Sequence, residues 1–282
     1  MSDNLLRQHA KSFFWASFFL SKKKYLQCSS LYSFCRTLDD IVDENSNLSI
    51  KKDNFLKFKN DFTNKNFDNQ IIKKMWSLIE SENISQKIIY DLFDGVETDL
   101  KDKILIMTKK DLLVYSYRVA GTVGLMMSKI LRVKNKEALK GAIDLGIAMQ
   151  LTNIARDVVE DKNKNRQYIN FDFSSIKNTI SLSETFYEKS FKAISSIPLK
   201  SRFSVIVARR VYKKIGLKIL EKRNIDNYVK AGKIYVSFMG KLIETILSIF
   251  DFFKLLTIKE FNYDNEKEHS IISEEIKIHE RI

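Results

Sequence analysis

Hydrophobic residues recur three or four positions apart along most of this 282-residue chain. This period is typical of amphipathic helices, and it predicts them over 5–20, 25–44, 70–80, 85–100, 109–132, 135–162, 181–195, 201–223 and 228–256. The lysine- and asparagine-rich stretch over 45–70, including "NLSIKK", and the segment "EDKNKNRQYINFD" are predicted to be loops. We see no internal repeat or clear linker. We therefore expect one all-α domain over 1–261 and a charged, loosely packed C-terminal tail over 262–282.

The composition agrees with this class. Glycine occurs eight times and proline once, whereas an all-β protein of this size needs many turn residues. Hydrophobic residues make up 44% of the chain, enough for a sizeable core.

The net charge of +13 has two interpretations. Such an excess attracts polyanions, which include nucleic acid, anionic lipid and phosphorylated substrates. It is also the expected composition of a protein from a lysine-rich proteome. No nucleic-acid recognition motif accompanies the charge, so we expect no nucleic-acid partner.

Cysteine and histidine usage argues against several kinds of site. Cys28 and Cys35 are seven residues apart on one helical face, and we expect two buried free thiols there. His9, His269 and His279 are scattered along the chain, which makes a histidine-based metal centre or catalytic triad improbable.

Two apolar segments raise the question of membrane contact. The run "FFWASFFL" is too short to span a bilayer. Four charged residues interrupt the segment over 235–256, so we read it as a buried or interfacial helix. We expect no signal peptide, because the N-terminus lacks an uninterrupted apolar stretch.

Two stretches place oxygen-bearing side chains at helical spacing. In "RTLDDIVDE", Asp39 and Asp43 are four residues apart, and in "QLTNIARDVVED", Asn153, Asp157 and Asp161 follow the same interval. Residues at this spacing share one face of a helix. Each stripe alone is compatible with a solvated helix face. Two stripes facing across a cavity would form a set of hard oxygen ligands that suits Mg²⁺ completed by substrate phosphates.

Five motifs, in order, resemble the squalene/phytoene synthase family of head-to-head prenyl synthases, over about residues 9–242. They are "HAKSFFWAS", "LYSFCRTLDDIVDE", "YSYRVAGTVGLMM", "LGIAMQLTNIARDVVEDKNKNRQYI" and "ARRVYKKIG". "VAGTVG" and "LTNIARDVVED" look most like the bacterial phytoene synthase branch. The resemblance implies a single-domain isoprenoid-synthase-type helical bundle around a central cavity.

For phytoene synthases, the resemblance implies condensation of two geranylgeranyl diphosphates through a cyclopropyl (prephytoene) diphosphate to phytoene, in carotenoid biosynthesis. It implies Mg²⁺, with Mn²⁺ as an alternative, and no NADPH. The alternative is synthesis of squalene, dehydrosqualene or presqualene diphosphate from farnesyl diphosphate. A member without catalytic activity would have lost acids from one motif, and both are intact here.

The resemblance also implies roles for individual residues. The predicted metal ligands are Asp39, Asp43, Asn153, Asp157 and Asp161. The predicted catalytic residues are Tyr115, which would steer rearrangement or proton loss, together with Asp39, Asp43 and Asp157. The predicted substrate-binding residues are Lys11, Ser12, Phe13, Arg36, Arg118, Asn153, Arg156, Arg166, Tyr168, Tyr212 and Lys233.

Some of these roles have plain structural alternatives. Arg36 could form a salt bridge with Asp40 or Glu44, and Tyr115 could be a core residue. We expect apolar walls to enclose the carbocation, with candidates Phe13, Phe14, Phe18, Phe34 and the "VAGTVGLMM" helix. The small residues Ala120, Gly121 and Gly124 would admit either a prenyl chain or a neighbouring helix.

The chain departs from the family pattern at two positions. Asn170 stands where the family usually has proline, and Lys233 where it often has arginine, which removes a bidentate fork. We expect a monomeric, cytoplasmic enzyme in peripheral contact with the inner face of the membrane through lysines beside 235–256.

Overall fold

The computed structural model describes residues 10–44, 47–106, 108–258, 261–264 and 266–282, and these are almost entirely helical. The predicted helix over 5–20 therefore begins outside the described residues, and His9 of the first motif also lies outside them. The helices are α1 (Lys11–Ser17), α2 (Lys22–Asp43), α3 (Leu48–Thr63), α4 (Gln70–Ser81), α5 (Gln86–Thr98), α6 (Lys109–Ser116), α7 (Thr122–Ile130), α8 (Lys136–Asn163), α9 (Phe173–Phe191), α10 (Leu199–Leu220), α11 (Ile225–Ala231), α12 (Phe238–Leu256) and α13 (Glu266–Ser273). A π-helical turn, Tyr117–Gly121, joins α6 to α7. The two-residue strands β1 (Ile104–Leu105) and β2 (Arg166–Gln167) pair in parallel.

The prediction of an all-α domain is confirmed, but the stretch over 45–70 is not a loop. It contains α3, whose first turn is capped by the Asn47 side chain, an acceptor for the Ile50 amide. Phe55, Phe58 and Phe62 lie on the buried face of α3. Their helical spacing was obscured by the surrounding lysines and asparagines.

Two other predicted boundaries were wrong. Helix α9 begins at Phe173 rather than near 181, capped by the Asp172 carboxylate. The predicted helix over 228–256 is interrupted, because Gly232 adopts a positive φ of 62° after α11 and the chain re-enters a helix only at Phe238.

An aromatic cluster fixes the outer side of α2. The ring of Phe34 lies 5.5, 5.6 and 6.0 Å from those of Phe58, Phe62 and Phe93. Packing of these rings contributes beyond the area they bury. This contact turns the opposite face of α2, which carries Cys35 and Asp39, towards the interior of the bundle.

Close backbone packing fixes α8 against the π-helical turn and α7. A Cβ on Gly146 would lie 2.2 Å from the carbonyl oxygen of Ala120, and one on Gly124 would lie 2.2 Å from that of Ala142. The small residues near 120–124 thus admit a neighbouring helix. Some of them, including Ala120 and Gly124, also border the cavity described below.

The tail over 262–282 is not loosely packed. His269 is 4% exposed and its Nε2 lies 2.8 Å from the buried carboxylate of Asp144. Arg281 reaches the carboxylate of Asp91. Ile272 is fully buried. The six acids that made the tail look solvated, and Arg281, instead form ion pairs with the domain.

Candidate active site

A cavity of about 800 Å³ lies between the inner faces of α2 and α8. Helix α2 contributes residues at helical spacing from Cys28 to Asp43, and α8 contributes a face from Ala138 to Asp161. Lys164 pairs with both Asp43 of α2 and Glu160 of α8, and Arg166, which pairs with Asp43, also acts on Asp161, so the two oxygen-bearing stripes lie at the same end of the cavity.

The cavity brings together almost all the predicted site residues. Those that line it are Lys11, Ser12, Phe13, Arg36, Asp39, Asp43, Tyr115, Asn153, Arg156, Asp157, Asp161, Arg166, Tyr168, Tyr212 and Lys233. Asp40 does not line it and instead pairs with Arg36 at 2.6 Å, as the structural alternative for Arg36 anticipated.

Arg118 is the predicted substrate-binding residue that the structure does not place at the cavity. Its guanidinium lies 3.0 Å from Glu275 of the C-terminal segment. Tyr115, Val119 and Ala120 line the cavity from the same stretch, and Arg118 points to another side of the helix. The ion pair with the tail holds Arg118 away from the cavity, and its role in substrate binding stays a prediction.

The predicted aromatic wall is only partly present. Phe13 lines the cavity, with its ring 4.9 Å from that of Tyr212. Phe34 is instead buried in the aromatic cluster and Phe18 is 65% exposed. Phe14 does not line the cavity either. The apolar lining is mostly aliphatic and sulfur-containing: Leu20, Leu31, Val119, Val123, Met127, Leu131, Val133, Leu145 and Met149.

The two cysteines also border this apolar part. Both are free, as predicted, but only Cys28 is buried and Cys35 is half-buried. Burial raises the pKa of Cys28 to about 12, so the thiol stays protonated and is a poor nucleophile.

Protein cations already neutralise two of the predicted metal ligands. Asp43 accepts from Arg166 at 2.8 Å and from Lys164 at 3.1 Å. Burial alone would raise the pKa of Asp43, but these two cations bring it below its ordinary value. Asp157 forms a bidentate pair with Arg156 at 2.9 and 2.6 Å.

Among the described residues, the other two carboxylates have no cation of their own, because Arg36 pairs with Asp40 and Arg166 with Asp43. Solvent in the cavity reaches Asp39, yet the surrounding protein desolvates its carboxyl, and this raises its pKa to about 7, with Asp43 adding to the effect. Desolvation, reinforced by Asp157, likewise raises the pKa of Asp161 to about 7. A cation placed between the stripes would favour the ionised form of both groups.

Two buried polar atoms at the cavity have no hydrogen-bond partner: Nε of Arg36 and Oδ1 of Asn153. Buried polar atoms are normally satisfied, so both are suited to a ligand. The Asn153 oxygen, together with the carboxylates of Asp39 and Asp161, is a hard-oxygen donor set that fits a divalent cation such as Mg²⁺. Within the described residues, no three acidic, histidine or cysteine side chains converge enough to hold a metal unaided.

Asp99 is a site residue that the sequence did not reveal. At the cavity it accepts hydrogen bonds from the hydroxyls of Tyr115 at 2.8 Å and Tyr168 at 2.7 Å. The two tyrosine rings stack with centroids 4.8 Å apart. Burial raises the pKa of Tyr115 well above its ordinary value, so its hydroxyl keeps its proton. In the sequence, Asp99 is one of several acids near a predicted helix end, and nothing distinguishes it from Asp94, Glu97 and Asp102.

Lys164 is a second residue that sequence reasoning missed. It reaches Asp43 from the turn before β2. Its place in the lysine-rich "EDKNKNRQYINFD" stretch gave no sign that it differs from its neighbours.

Comparisons with known proteins agree with this geometry. The squalene/phytoene synthase family model matches residues 6–172. A 15-cis-phytoene synthase from Enterobacter agglomerans is 29% identical in an alignment 253 positions long, which covers 75% of this chain and 82% of that protein. The chloroplastic phytoene synthase of Daucus carota is 28% identical in an alignment 276 positions long, which covers 86% of this chain and 67% of that protein.

Among solved structures, a dehydrosqualene synthase in complex with a ligand superposes with a TM-score of 0.76 at 25% identity, covering 88% of this chain and 94% of that one. The helical bundle around a cavity is therefore an isoprenoid synthase fold. The chain belongs to the squalene/phytoene synthase family, whose members are prenyltransferase-type head-to-head synthases.

Proposed function

We propose that this protein condenses two geranylgeranyl diphosphates head to head, through prephytoene diphosphate, to phytoene in carotenoid biosynthesis. The observation that carries the proposal is one cavity with two facing oxygen-bearing stripes at one end and an aliphatic lining beyond them. Relatives named phytoene synthases, from bacteria and plants, support this choice of substrate.

The polar end of the cavity holds the diphosphates. Arg36 offers an unpaired Nε, and Lys11 and Ser12 border the same space. Arg156, Arg166 and Lys233 are held by carboxylates, so their charge is positioned before substrate arrives. Charges that are positioned in advance stabilise a leaving group without any rearrangement of the protein during the reaction.

Asp39, Asp43, Asn153, Asp157 and Asp161 would hold Mg²⁺ or Mn²⁺. When bound, the metal neutralises charge that develops on departing diphosphate. Burial, reinforced by the neighbouring carboxylates, raises the pKa of Asp39 and Asp161, and a bound metal would favour the ionised form of both.

The apolar part of the cavity encloses the prenyl chains and excludes water from the carbocation. Tyr115, Tyr168 and Asp99 stand at its edge as a hydrogen-bonded group. The tyrosine hydroxyls donate to Asp99 and hold its negative charge in place, where it favours nearby positive charge and steers rearrangement or proton loss. Overall, two diphosphates and two protons leave, so no NADPH is required.

The second candidate is synthesis of dehydrosqualene or squalene from farnesyl diphosphate. The observation in its favour is the close structural match to a protein named a dehydrosqualene synthase. Chain length and NADPH dependence distinguish the two candidates.

Product analysis tests the proposal. Purified protein with Mg²⁺ is given geranylgeranyl or farnesyl diphosphate, with and without NADPH, and the extracted hydrocarbons are identified by mass spectrometry. We expect phytoene from the first substrate, independent of NADPH. No hydrocarbon under any condition would overturn the enzyme assignment.

The metal role has its own test. Asp157→Ala should lower turnover by roughly 100-fold, since charge stabilisation of the leaving group is lost. Full activity of that variant would refute the metal site.

The proposal also includes a monomeric protein in the cytoplasm. We propose that it is in peripheral contact with the inner face of the membrane, because amphiphilic substrates and a hydrocarbon product partition into the membrane.

A further inference from the structure

Helix α12 buries polar residues against the protein and exposes most of its apolar residues. Its buried residues are Glu244, Ser248 and Leu255. Glu244 and Asp251 accept from Arg210 of α10 at 2.9 and 2.8 Å. The polar edge of the helix therefore faces the protein, and its apolar residues face outwards.

The outward side, here called the apolar face, consists of residues that are 36–69% exposed. They are Phe238, Met239, Leu242, Ile243, Ile246, Leu247, Ile249, Phe250, Phe253 and Leu256. Contiguous apolar surface on this scale marks an interaction site. The helix has no acids other than the two held by Arg210, and its lysines are Lys241 and Lys254.

The apolar face continues onto α1. The ring of Trp15 lies 5.4 Å from that of Phe238, and its indole N–H donates to Thr245 at 2.9 Å. Phe18, 65% exposed, packs edge-on against Trp15. The other side of α1 lines the cavity through Phe13 and Ala16. A single short helix thus separates the apolar face from the candidate active site.

We propose that the apolar face of α12 and the end of α1 lie in the surface of a lipid bilayer that carries anionic headgroups. No described helix is long and apolar enough to cross a bilayer. A 19-residue helix lying in the interface instead places about 28 Å of apolar surface among the acyl chains.

Charge favours this occupant over a second copy of the chain. Lys241 and Lys254 flank the apolar face, the exposed Lys11 begins α1, and the exposed Lys22 and Lys23 begin α2. Anionic headgroups complement these lysines. An isologous dimer would oppose the lysines of one copy to those of the other, with no acid on the face to pair them.

The position of α1 suggests a route for the substrate, and this part rests on the proposed function. Prenyl chains dissolved in the bilayer would reach the cavity past α1 without crossing water. The docking itself depends only on the surface, so it is tested without substrate.

Co-sedimentation measures binding of the full chain to phosphatidylcholine vesicles with and without phosphatidylglycerol. We expect binding that increases with phosphatidylglycerol. Phe250→Ser/Phe253→Ser should lower the partition coefficient by about tenfold or more. The matched control is Ile50→Ser/Leu56→Ser, which removes two apolar residues of α3 with exposures of 46% and 49% and should bind as the wild type.

Lys241→Gln/Lys254→Gln should remove part of the preference for phosphatidylglycerol. Circular dichroism checks that each variant is folded. Unchanged vesicle binding of the Phe250/Phe253 variant would overturn the proposal. A second outcome would also overturn it. In this outcome the wild type is a dimer in sedimentation velocity, the Phe250/Phe253 variant is a monomer, and neither of them binds vesicles.

Turnover in detergent micelles separates this proposal from the synthase function. We expect the Phe250/Phe253 variant to retain wild-type turnover there. If no protein turns over substrate but the wild type binds vesicles, the proposed function fails and the docking stands. If turnover is normal without vesicle binding, the docking and the proposed membrane contact fail, and the synthase function stands.

Discussion

Replacing Arg281 by methionine tests whether the C-terminal segment is part of the folded domain. Nε and Nη2 of Arg281 each donate to the carboxylate of Asp91 at 2.9 Å. Asp91 is 6% exposed, and it also accepts a hydrogen bond from the hydroxyl of Tyr117 at 3.0 Å. The substitution leaves the buried carboxylate of Asp91 with one neutral hydrogen-bond donor, the hydroxyl of Tyr117.

The expected loss follows from that burial. Removing one partner of a buried ion pair costs about 3–5 kcal/mol. The Arg281 side chain is 16% exposed, so water can partly replace it and we expect the lower end of this range. With an m-value of about 3 kcal/mol/M, a loss of about 3 kcal/mol lowers the urea midpoint by about 1 M.

Urea unfolding followed by circular dichroism measures this change. Lys87→Met is the matched control, because its ion pair with Glu280 in the same segment is exposed to solvent and should contribute little to stability. Asp91→Asn combined with Arg281→Met should recover part of the loss, since the buried charge is removed. If Arg281→Met unfolds at the same urea concentration as Lys87→Met, the reasoning about the tail is refuted.

Three further predictions concern the cavity. Gly146→Ala should lower the free energy of unfolding by about 1–3 kcal/mol, because its methyl group would meet a backbone carbonyl at 2.2 Å; an unchanged urea midpoint would contradict this packing. Asp99→Asn should lower turnover by about tenfold or more while binding of inorganic diphosphate, measured by calorimetry, stays the same; equal losses in both would indicate a purely structural role. In metal-free protein, the free energy of unfolding should fall as pH rises from about 4 to 7, because folding raises the pKa of Asp39 and Asp161 to about 7 and the folded state keeps protons that the unfolded chain releases. An Asp39→Asn/Asp161→Asn variant should show a flatter pH profile, and an identical profile would count against the raised pKa values.

Much of the fold could be predicted from periodicity alone. The helices over 70–81, 86–98 and 136–163 were predicted to within two residues at each end. Helix α3 was missed, because three phenylalanines carry its apolar face among lysines and asparagines. The tail was misjudged because its charged residues pair with distant acids and bases, which no local pattern shows.

Some residues of the candidate site could be predicted from the sequence and others could not. The oxygen-bearing stripes could be predicted because the helical repeat fixes which residues of one segment share a face. Asp99 could not, because its two tyrosine partners are 16 and 69 residues away in the chain. Arg118 was assigned to the cavity through the resemblance, although its partner lies in the tail.

By itself, the sequence determined the helical class and the two stripes of metal-ligand candidates, since these depend on spacing within one helix. Only the tertiary structure decided which cations meet which acids, and that the apolar side of α12 faces outwards. That side was set by Arg210, whose guanidinium holds both acids of the helix against the protein. Periodicity describes the faces of a helix, whereas packing between distant segments decides which face is buried.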